Sequence, residues 1–264
     1  MDEWISYPGD SAVGMDVFPV KEPVGAVVIC PGGGYGFVSP REGRPVAKAW
    51  NRAGFCAFVL TYSCEGAPLE KRPLHQLSWA VSEVKKMAGQ YGFSPDKVIT
   101  CGFSAGGHLA GNLGVVWNRP EWFPEGTDLE LHRPAAQVLC YPVITAGEFA
   151  HRGSFDNLAG TDRAHQQDYS LENLVTEQTP PTFLWHTIAD ESVPVENTLL
   201  FSRKLLENHV IQEVHLFPFG CHGLSLATEE VTQVEKNRYA DPHLAHWFTL
   251  AAEWAREVLE RKIN

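Results

Sequence analysis

The chain has 264 residues, of which 44% are hydrophobic and 20% are charged, a balance typical of a globular protein that buries a core. No uninterrupted apolar stretch approaches the roughly 18 residues of a membrane-spanning helix, so a membrane partner is not expected. A formal net charge of −11 opposes binding to phosphate backbones, so nucleic acid is not an expected partner either.

The N-terminal sequence and the cysteines bear on location. The segment Met1–Ser6 is acidic and lacks the basic and apolar regions of a secretory signal, which predicts a cytoplasmic protein. The six cysteines include no C-x-x-C pair, and four of them lie in apolar runs, which is typical of buried thiols in a reducing compartment. No H-E-x-x-H motif occurs, so neither a metal nor another cofactor is expected.

Short apolar runs alternate with amphipathic segments along the chain, which predicts βαβ units. The predicted strands are Ala26–Cys30, Phe55–Thr61, Lys97–Cys101, Ala136–Tyr141, Pro181–Thr187 and Gln212–Phe217. Helical periodicity predicts helices over Leu74–Tyr91, in the segment that Pro194 opens, and after Asp241 and Pro242. No linker or repeat divides the chain, so residues 1–264 are predicted to form one α/β domain. Its mostly parallel central sheet would carry helices on both faces.

Two stretches of the chain lack strong periodicity. They are residues 117–134 and 146–180. Long irregular segments in compact domains are often lids or binding loops, so both stretches are predicted to cover a site at the carboxyl edge of the sheet.

The pentapeptide Gly102-Phe103-Ser104-Ala105-Gly106 follows a predicted strand and precedes a helix-like segment. In this context a G-x-S-x-G motif holds its serine on a sharp turn, where a Cβ at either glycine would collide with the adjacent strand or helix. The turn lifts the serine hydroxyl above the sheet edge, and the following helix directs its first amides at developing negative charge. Ser104 is therefore the predicted nucleophile.

A serine nucleophile needs a general base and an acid that orients the base. Asp190 lies just beyond the strand Pro181–Thr187 and is the favoured acid, with the adjacent Glu191 as the alternative. The chain has eleven histidines, so only the sequence context of each one can indicate which of them is the base. His222 lies in a glycine-flanked loop after the last strand and completes the order Ser, Asp, His, which predicts that it is the base.

A glycine run follows the first predicted strand, where backbone amides can approach a ligand without obstruction by side chains. We expect the N–H groups of Gly33 and Gly34, together with that of Ala105, to form an oxyanion hole. Phosphate binding is the alternative use of such a run, but neither G-x-x-x-x-G-K-[ST] nor G-x-G-x-x-G occurs in the chain.

Together these motifs resemble α/β-hydrolase-fold serine esterases of the acetyl-xylan esterase and small carbohydrate esterase type, which includes xylanase-B-like and dienelactone-hydrolase-related proteins. The resemblance covers nearly the whole chain and is carried by 31–35, 102–110, 179–186, 190–194 and 221–224. It implies an α/β-hydrolase fold and hydrolysis of short-chain acyl esters, with O-acetyl groups on sugars or xylo-oligosaccharides as substrates. Lipase-like relatives carry a histidine where this chain has Pro31, which leaves the loop shape and the substrate choice open.

The resemblance also suggests side chains that contact a sugar. Tyr35, His108, Trp117 and Trp185 are the candidates, although aromatic residues serve as core at least as often. Exposed aromatics serve a homodimer as readily as a substrate, so a homodimer stays open. Two other functions stay open as well: a single-domain serine peptidase of the same fold, and a non-catalytic ligand-binding protein that kept the fold.

Overall fold

In the computed structural model, which describes residues 3–261, eight strands join in one sheet. They are β1 (Glu3–Tyr7), β2 (Asp10–Phe18), β3 (Gly25–Cys30), β4 (Phe55–Thr61), β5 (Val98–Phe103), β6 (Gln137–Cys140), β7 (Thr182–Thr187) and β8 (Gln212–Phe217). Their order is β1-β2-β4-β3-β5-β6-β7-β8, and only the pairings of β2 with β1 and β4 are antiparallel within the described residues. The carboxyl ends of β3 to β8 therefore meet at one edge of the sheet.

Helices cover both faces of this sheet. They are α1 (Arg44–Arg52), α2 (Arg72–Lys86), α3 (Ala88–Tyr91), α4 (Ala105–Val116), α5 (Arg152–Ala159), α6 (Arg163–Gln166), α7 (Glu196–Glu207) and α8 (Pro242–Glu260). Val28 of β3 packs in the core beside α2, α4 and α7, whereas its neighbours Val27 and Ile29 pack in the core beside α1 and α8. Because successive side chains of a strand point to opposite faces, one apolar strand serves both cores. This architecture confirms the predicted fold class.

The six predicted strands are all present, with ends that differ by up to two residues. The sequence patterns did not predict β1 and β2, which lie at the antiparallel edge of the sheet and are only partly buried. The predicted helix over Leu74–Tyr91 is divided at Met87 into α2 and α3. Within residues 3–261, every helix is too short or too polar to span a lipid bilayer.

The stretch 146–180 contains more regular structure than a binding loop, because α5, α6 and two short 3₁₀ turns occupy it. It is tied to the loop that follows β3, since Asn157 Nδ2 donates to the carbonyl oxygen of Gly34 over 2.9 Å. The stretch 117–134 holds one 3₁₀ turn, Pro120–Trp122. A lid or binding role for either stretch stays a prediction.

All six cysteines are free thiols. Four of them, Cys30, Cys56, Cys101 and Cys140, are buried in strands, as their apolar surroundings in the sequence predict. They pack as small hydrophobic side chains.

Candidate active site

Ser104 lies on the turn between β5 and α4 and has a φ of 55° with a ψ of −118°, a backbone conformation that residues with a side chain rarely adopt. Such a conformation costs a serine about 1–3 kcal/mol and persists only when the surroundings impose it. Here the Ser104 amide donates to Cys140 O over 3.0 Å, and the Ser104 carbonyl accepts from the amide of Val143 over 3.1 Å. These bonds fix the backbone of the turn.

The two glycines of the turn are required by close backbone contacts. A Cβ on Gly102 would lie 2.1 Å from Gly106 O, and a Cβ on Gly106 would lie 2.1 Å from Cys30 O. Neither backbone oxygen can yield as a flexible side chain would. The glycines therefore allow α4 to start directly against the ends of β3 and β5.

We expect Gly106→Ala to destabilise the fold by about 3 kcal/mol or more, because the added methyl group overpacks a rigid backbone contact. Gly89→Ala is the matched control, since a Cβ on Gly89 meets no atom within 4 Å of the described protein. Alanine should stabilise that helical position by about 0.5–1 kcal/mol. Urea unfolding of both variants measures the difference, and a Gly106→Ala protein as stable as wild type would contradict this reading of the turn.

The structure brings the predicted nucleophile, base and acid into one hydrogen-bonded chain. His222 Nε2 lies 2.8 Å from Ser104 Oγ, and His222 Nδ1 lies 2.6 Å from Asp190 Oδ2. Because a carboxylate only accepts, Nδ1 carries the proton and Nε2 accepts the hydrogen bond from the serine hydroxyl. The histidine therefore holds its basic nitrogen at the atom it would deprotonate.

Asp190 is held by four donors from its surroundings. Its Oδ1 accepts from the amides of Ser192 and Val193, both over 2.9 Å, and its Oδ2 accepts from His222 and, over 3.3 Å, from His186 Nε2. Burial alone would raise the pKa of the Asp190 carboxyl, but these hydrogen bonds outweigh it and hold the pKa well below its usual range. Asp190 is therefore ionised at neutral pH.

His186 is a fully buried histidine of β7 that lies beside Asp190. Its Nδ1 lies 2.8 Å from Thr198 Oγ1, and its Nε2 lies 2.9 Å from the carbonyl oxygen of Val193. A carbonyl and a carboxylate both face Nε2, so Nε2 donates and Nδ1 accepts. The alternative acid, Glu191, is exposed, so the geometry favours Asp190.

The loop after β3 lies directly beside the nucleophile. A Cβ on Gly32 would be 3.1 Å from Ser104 Cβ, and Gly33 and Gly34 have positive φ angles of 133° and 64°. Gly33 O accepts from the amide of Gly36 over 3.0 Å, which closes a tight turn. Within residues 3–261, the amides of Gly33, Gly34 and Ala105 donate to no protein acceptor. These three amides stay the predicted oxyanion donors.

A buried network that the sequence did not reveal connects this loop to the histidine loop. Glu42 Oε2 accepts from the amide of Gly32 over 2.8 Å, and Glu42 Oε1 accepts from the Tyr141 hydroxyl over 2.6 Å. The Tyr141 oxygen in turn accepts from the amide of Ser225 over 2.9 Å, and its ring lies edge-on to His222 at 5.1 Å. No motif marks Glu42 or Tyr141, because their roles depend on contacts across 99 residues of sequence.

Two arginines anchor the loop that carries His222. Arg238 Nε donates to the carbonyl of His222 over 2.9 Å, and Arg41 Nη1 donates to the carbonyl of Gly223 over 2.7 Å. Arg41 also donates to the carbonyl of Val231, which ties the following segment to the same guanidinium. These contacts fix a glycine-flanked loop that would otherwise be mobile.

Two of the four predicted substrate contacts, Tyr35 and His108, are buried in a structural pair, so that expectation is contradicted. The Tyr35 hydroxyl lies 2.8 Å from His108 Nδ1, and His108 Nε2 lies 2.8 Å from the carbonyl oxygen of Tyr169. The carbonyl only accepts, so Tyr35 donates to Nδ1. Burial lowers the pKa of His108 to about 4, which keeps the ring neutral. The pair joins the loop after β3 to α4.

The two tryptophans among the predicted substrate contacts are buried as well. Trp185 is fully buried in β7 and stacks on Trp247 of α8, with ring centroids 5.0 Å apart. Trp117 follows the last residue of α4, far along that helix from Ser104, and its Nε1 donates to the carbonyl of Gln178 over 2.9 Å. Both predictions are wrong because each ring is buried in the core and has no face open to a substrate.

His151 is a further residue near the site that the sequence did not single out. It is half-buried at the N-terminus of α5, and its Cε1 would lie 3.9 Å from a Cβ on Gly34. Within the described range 3–261, no group of three or more His, Cys, Asp or Glu side chains is arranged to hold a metal ion.

Two family models match the chain. The model of the prolyl oligopeptidase family matches residues 80–248, which include Ser104, Asp190 and His222. A second model, BD-FAE, matches residues 17–136, which include the loop after β3 and the serine turn. Together the two matches cover the strands and loops from which the site is built.

Among curated proteins, the chain is similar to endo-1,4-beta-xylanase B of Butyrivibrio fibrisolvens, with 38% identity over 77% of this chain and 33% of that protein. It is also similar to an acetylxylan esterase of Xylanibacter ruminicola, with 28% identity over 85% of this chain and 46% of the relative. The chain thus spans between a third and a half of the length of these relatives.

Among solved structures, the acetyl ester-xyloside bifunctional hydrolase from Caldicellulosiruptor lactoaceticus superposes with a TM-score of 0.80 and 34% sequence identity. The match covers 93% of this chain and 88% of that chain. The shared fold therefore extends over most of this chain.

Proposed function

Because the chain belongs to the prolyl oligopeptidase family and holds Ser104, His222 and Asp190 in one hydrogen-bonded chain, we propose that it is a serine esterase. Its substrates would be short-chain acyl esters, above all O-acetyl groups on sugars or xylo-oligosaccharides. The hydrogen bonds that join these three side chains support the reaction type. The substrate class is supported by the acetylxylan esterase and the acetyl ester-xyloside hydrolase to which the chain is similar.

In the first half of the reaction, Ser104 Oγ attacks the ester carbonyl carbon while its proton passes to His222 Nε2. The carbonyl oxygen becomes an oxyanion, which accepts hydrogen bonds from the amides of Gly33, Gly34 and Ala105. When the intermediate collapses, the bond to the alcohol oxygen breaks and His222 returns the proton to that oxygen. The alcohol leaves, and the acyl group stays on Ser104 as an ester.

In the second half, water replaces the alcohol. His222 takes a proton from the water as its oxygen attacks the acyl carbon, and the same amides bind the second oxyanion. The acyl–Ser104 bond then breaks, the acid departs, and Ser104 regains its proton from His222. Asp190, ionised and buried, stabilises the imidazolium that forms in each half.

A panel of p-nitrophenyl esters with acetyl, butyryl and longer acyl groups, together with acetylated xylo-oligosaccharides, tests the proposed substrate class. We expect kcat/KM to fall by about tenfold or more from the acetyl to the longest ester, because surplus methylene groups do not fit a site suited to acetate. We also expect acetate release from the acetylated xylo-oligosaccharides. A preference for long acyl chains, or no acetate release, would overturn this assignment.

A peptidase is the second candidate, because the matching family model is named after an oligopeptidase. Amide cleavage needs the same nucleophile and oxyanion donors, so the site geometry alone does not separate the two reactions. Aminoacyl p-nitroanilides assayed beside the esters do so. Turnover of the anilides without turnover of the esters would favour the peptidase. Turnover of neither class would favour a ligand-binding protein.

We also propose a cytoplasmic location for the protein. A homodimer stays a prediction. Six free thiols, four of them buried in strands, are compatible with a reducing compartment. Exposed apolar side chains at and after the edge strand β8, Leu216 and Phe219, support a homodimer. Sedimentation velocity over a range of protein concentrations measures the oligomeric state.

A further inference from the structure

His151 occupies a place at the site for which the proposed mechanism has no use. It caps the N-terminus of α5, where its Nδ1 accepts from the amide of Ser154 over 3.3 Å and lies 2.8 Å from Ser154 Oγ. The same helix is fastened to the loop after β3 by the bond from Asn157 to Gly34. The ring of His151 is therefore held at a fixed position beside this loop.

The ring lies close to the loop that carries two of the predicted oxyanion donors, Gly33 and Gly34. Its Cε1 would be 3.9 Å from a Cβ on Gly34, an ordinary van der Waals contact, so the glycine leaves room for about one methyl group beside the ring. Partial burial and the neighbouring His222 both lower the pKa of His151, which keeps its ring neutral near pH 7.

The hydrogen bonds of His151 define which nitrogen can serve a ligand. A backbone amide can only donate, so Nδ1 is the acceptor and the proton of the neutral ring lies on Nε2. Within residues 3–261, Nε2 has no hydrogen-bond partner, and the side chain is only half-buried. A fixed donor without a protein partner thus lies beside the loop after β3.

The chemistry of an acetylated sugar shows which part of it such a donor would serve. The acetyl methyl group accepts no hydrogen bond, and the carbonyl oxygen faces the backbone amides of Gly33, Gly34 and Ala105. The alcohol part leaves toward His222 and carries hydroxyl groups next to the ester. We propose that His151 donates from Nε2 to a hydroxyl group adjacent to the scissile ester. It would thereby select polyhydroxy alcohols, an inference that rests on the proposed esterase function.

The test uses His151→Asn, because asparagine is a strong N-cap that keeps the acceptor for Ser154 but is too short to place a donor where Nε2 lies. The substrates are a monoacetylated methyl xyloside and its deoxy analogues, which lack one or the other hydroxyl next to the ester. We expect wild type to prefer the parent xyloside over one analogue by about three- to tenfold in kcat/KM, the loss for one neutral hydrogen bond. His151→Asn should reduce this ratio to about one.

His209→Asn is the matched control. His209 is exposed and precedes β8, whereas the loop that carries His222 follows β8. Its φ of 57° is one that asparagine adopts readily. It should keep the wild-type ratio, and both variants should melt near the wild-type temperature. A His151→Asn enzyme that keeps the wild-type preference would overturn the proposal. So would one whose kcat/KM falls equally on all three substrates. If wild type hydrolyses p-nitrophenyl acetate but none of the xylosides, the proposed sugar function itself fails, and the inference fails with it.

Discussion

Ser104→Ala should lower kcat for p-nitrophenyl acetate by about 10⁴-fold or more, because no acyl-enzyme can form without the hydroxyl. The oxyanion donors would remain, so a residual rate above that of water is expected. The melting temperature should stay near wild type. The positive φ of residue 104 is imposed by hydrogen bonds of the backbone, which alanine retains. Steady-state kinetics and a thermal melt of the same preparation check both results.

Ser82→Ala serves as the control for the removal of a hydroxyl group. Ser82 lies in α2 and donates to the carbonyl of Ser78 within the same helix over 2.8 Å. That variant should retain the wild-type kcat. If Ser104→Ala kept more than a small fraction of the activity, another nucleophile would be responsible and the site would be wrongly assigned.

Asp190→Asn should lower kcat by about 10⁴-fold, a loss nearly as large. An asparagine amide can donate to His222 Nδ1, which favours the tautomer whose Nε2 carries a proton and cannot accept one from Ser104. The variant also loses the negative charge that stabilises the imidazolium. Kinetics on p-nitrophenyl acetate measure the loss, and Glu191→Gln, one residue away and exposed, should retain wild-type activity.

The same substitution should change the pH dependence of stability. The pKa of Asp190 is lowered in the folded protein, so its contribution to stability is present above the usual carboxyl pKa of about 3.9 and is lost as the pH falls through the lowered folded pKa. Asp190→Asn has no such titration. The free energies of unfolding of wild type and variant should therefore converge as the pH is lowered below about 4. A constant difference between about pH 7 and about pH 3 would contradict the origin assigned to the lowered pKa.

The fold was predictable wherever burial leaves a simple pattern. Strands covered on both faces, such as β3 and β5, read as continuous apolar runs bounded by turns, and the structure confirms them. The partly buried β1 and β2 carry charged and polar residues among their apolar ones, so local pattern did not distinguish them from loops. The family resemblance drawn from the motifs is confirmed by the similarity to acetylxylan esterase and acetyl ester-xyloside hydrolase sequences.

The proposed triad could be located from the sequence because Ser104, Asp190 and His222 each follow a parallel strand. The carboxyl ends of such strands meet at one edge, so sequence order alone brings their side chains close together. Glu42 and His151 could not be found in this way. Their positions depend on the packing of α5 and of the loop after β3, which no local periodicity encodes.

The substrate contacts were mispredicted for a related reason. Residue type identifies an aromatic side chain, but only the packed structure tells whether it faces the site or the core. Trp185 lies in β7, and His222 follows the next strand, β8. The Trp185 ring nevertheless packs against α8. A serine turn, in contrast, leaves its side chain few directions in which to point.

The central claim is that Ser104 is an activated nucleophile in a substrate-binding site. Labelling with a fluorophosphonate, followed by mass spectrometry of the proteolytic peptides, tests it most directly. We predict one adduct, on Ser104, whose formation is slowed by acetylated xylo-oligosaccharide and abolished in His222→Ala. An adduct on another residue, or no reaction with the intact protein, would contradict the account.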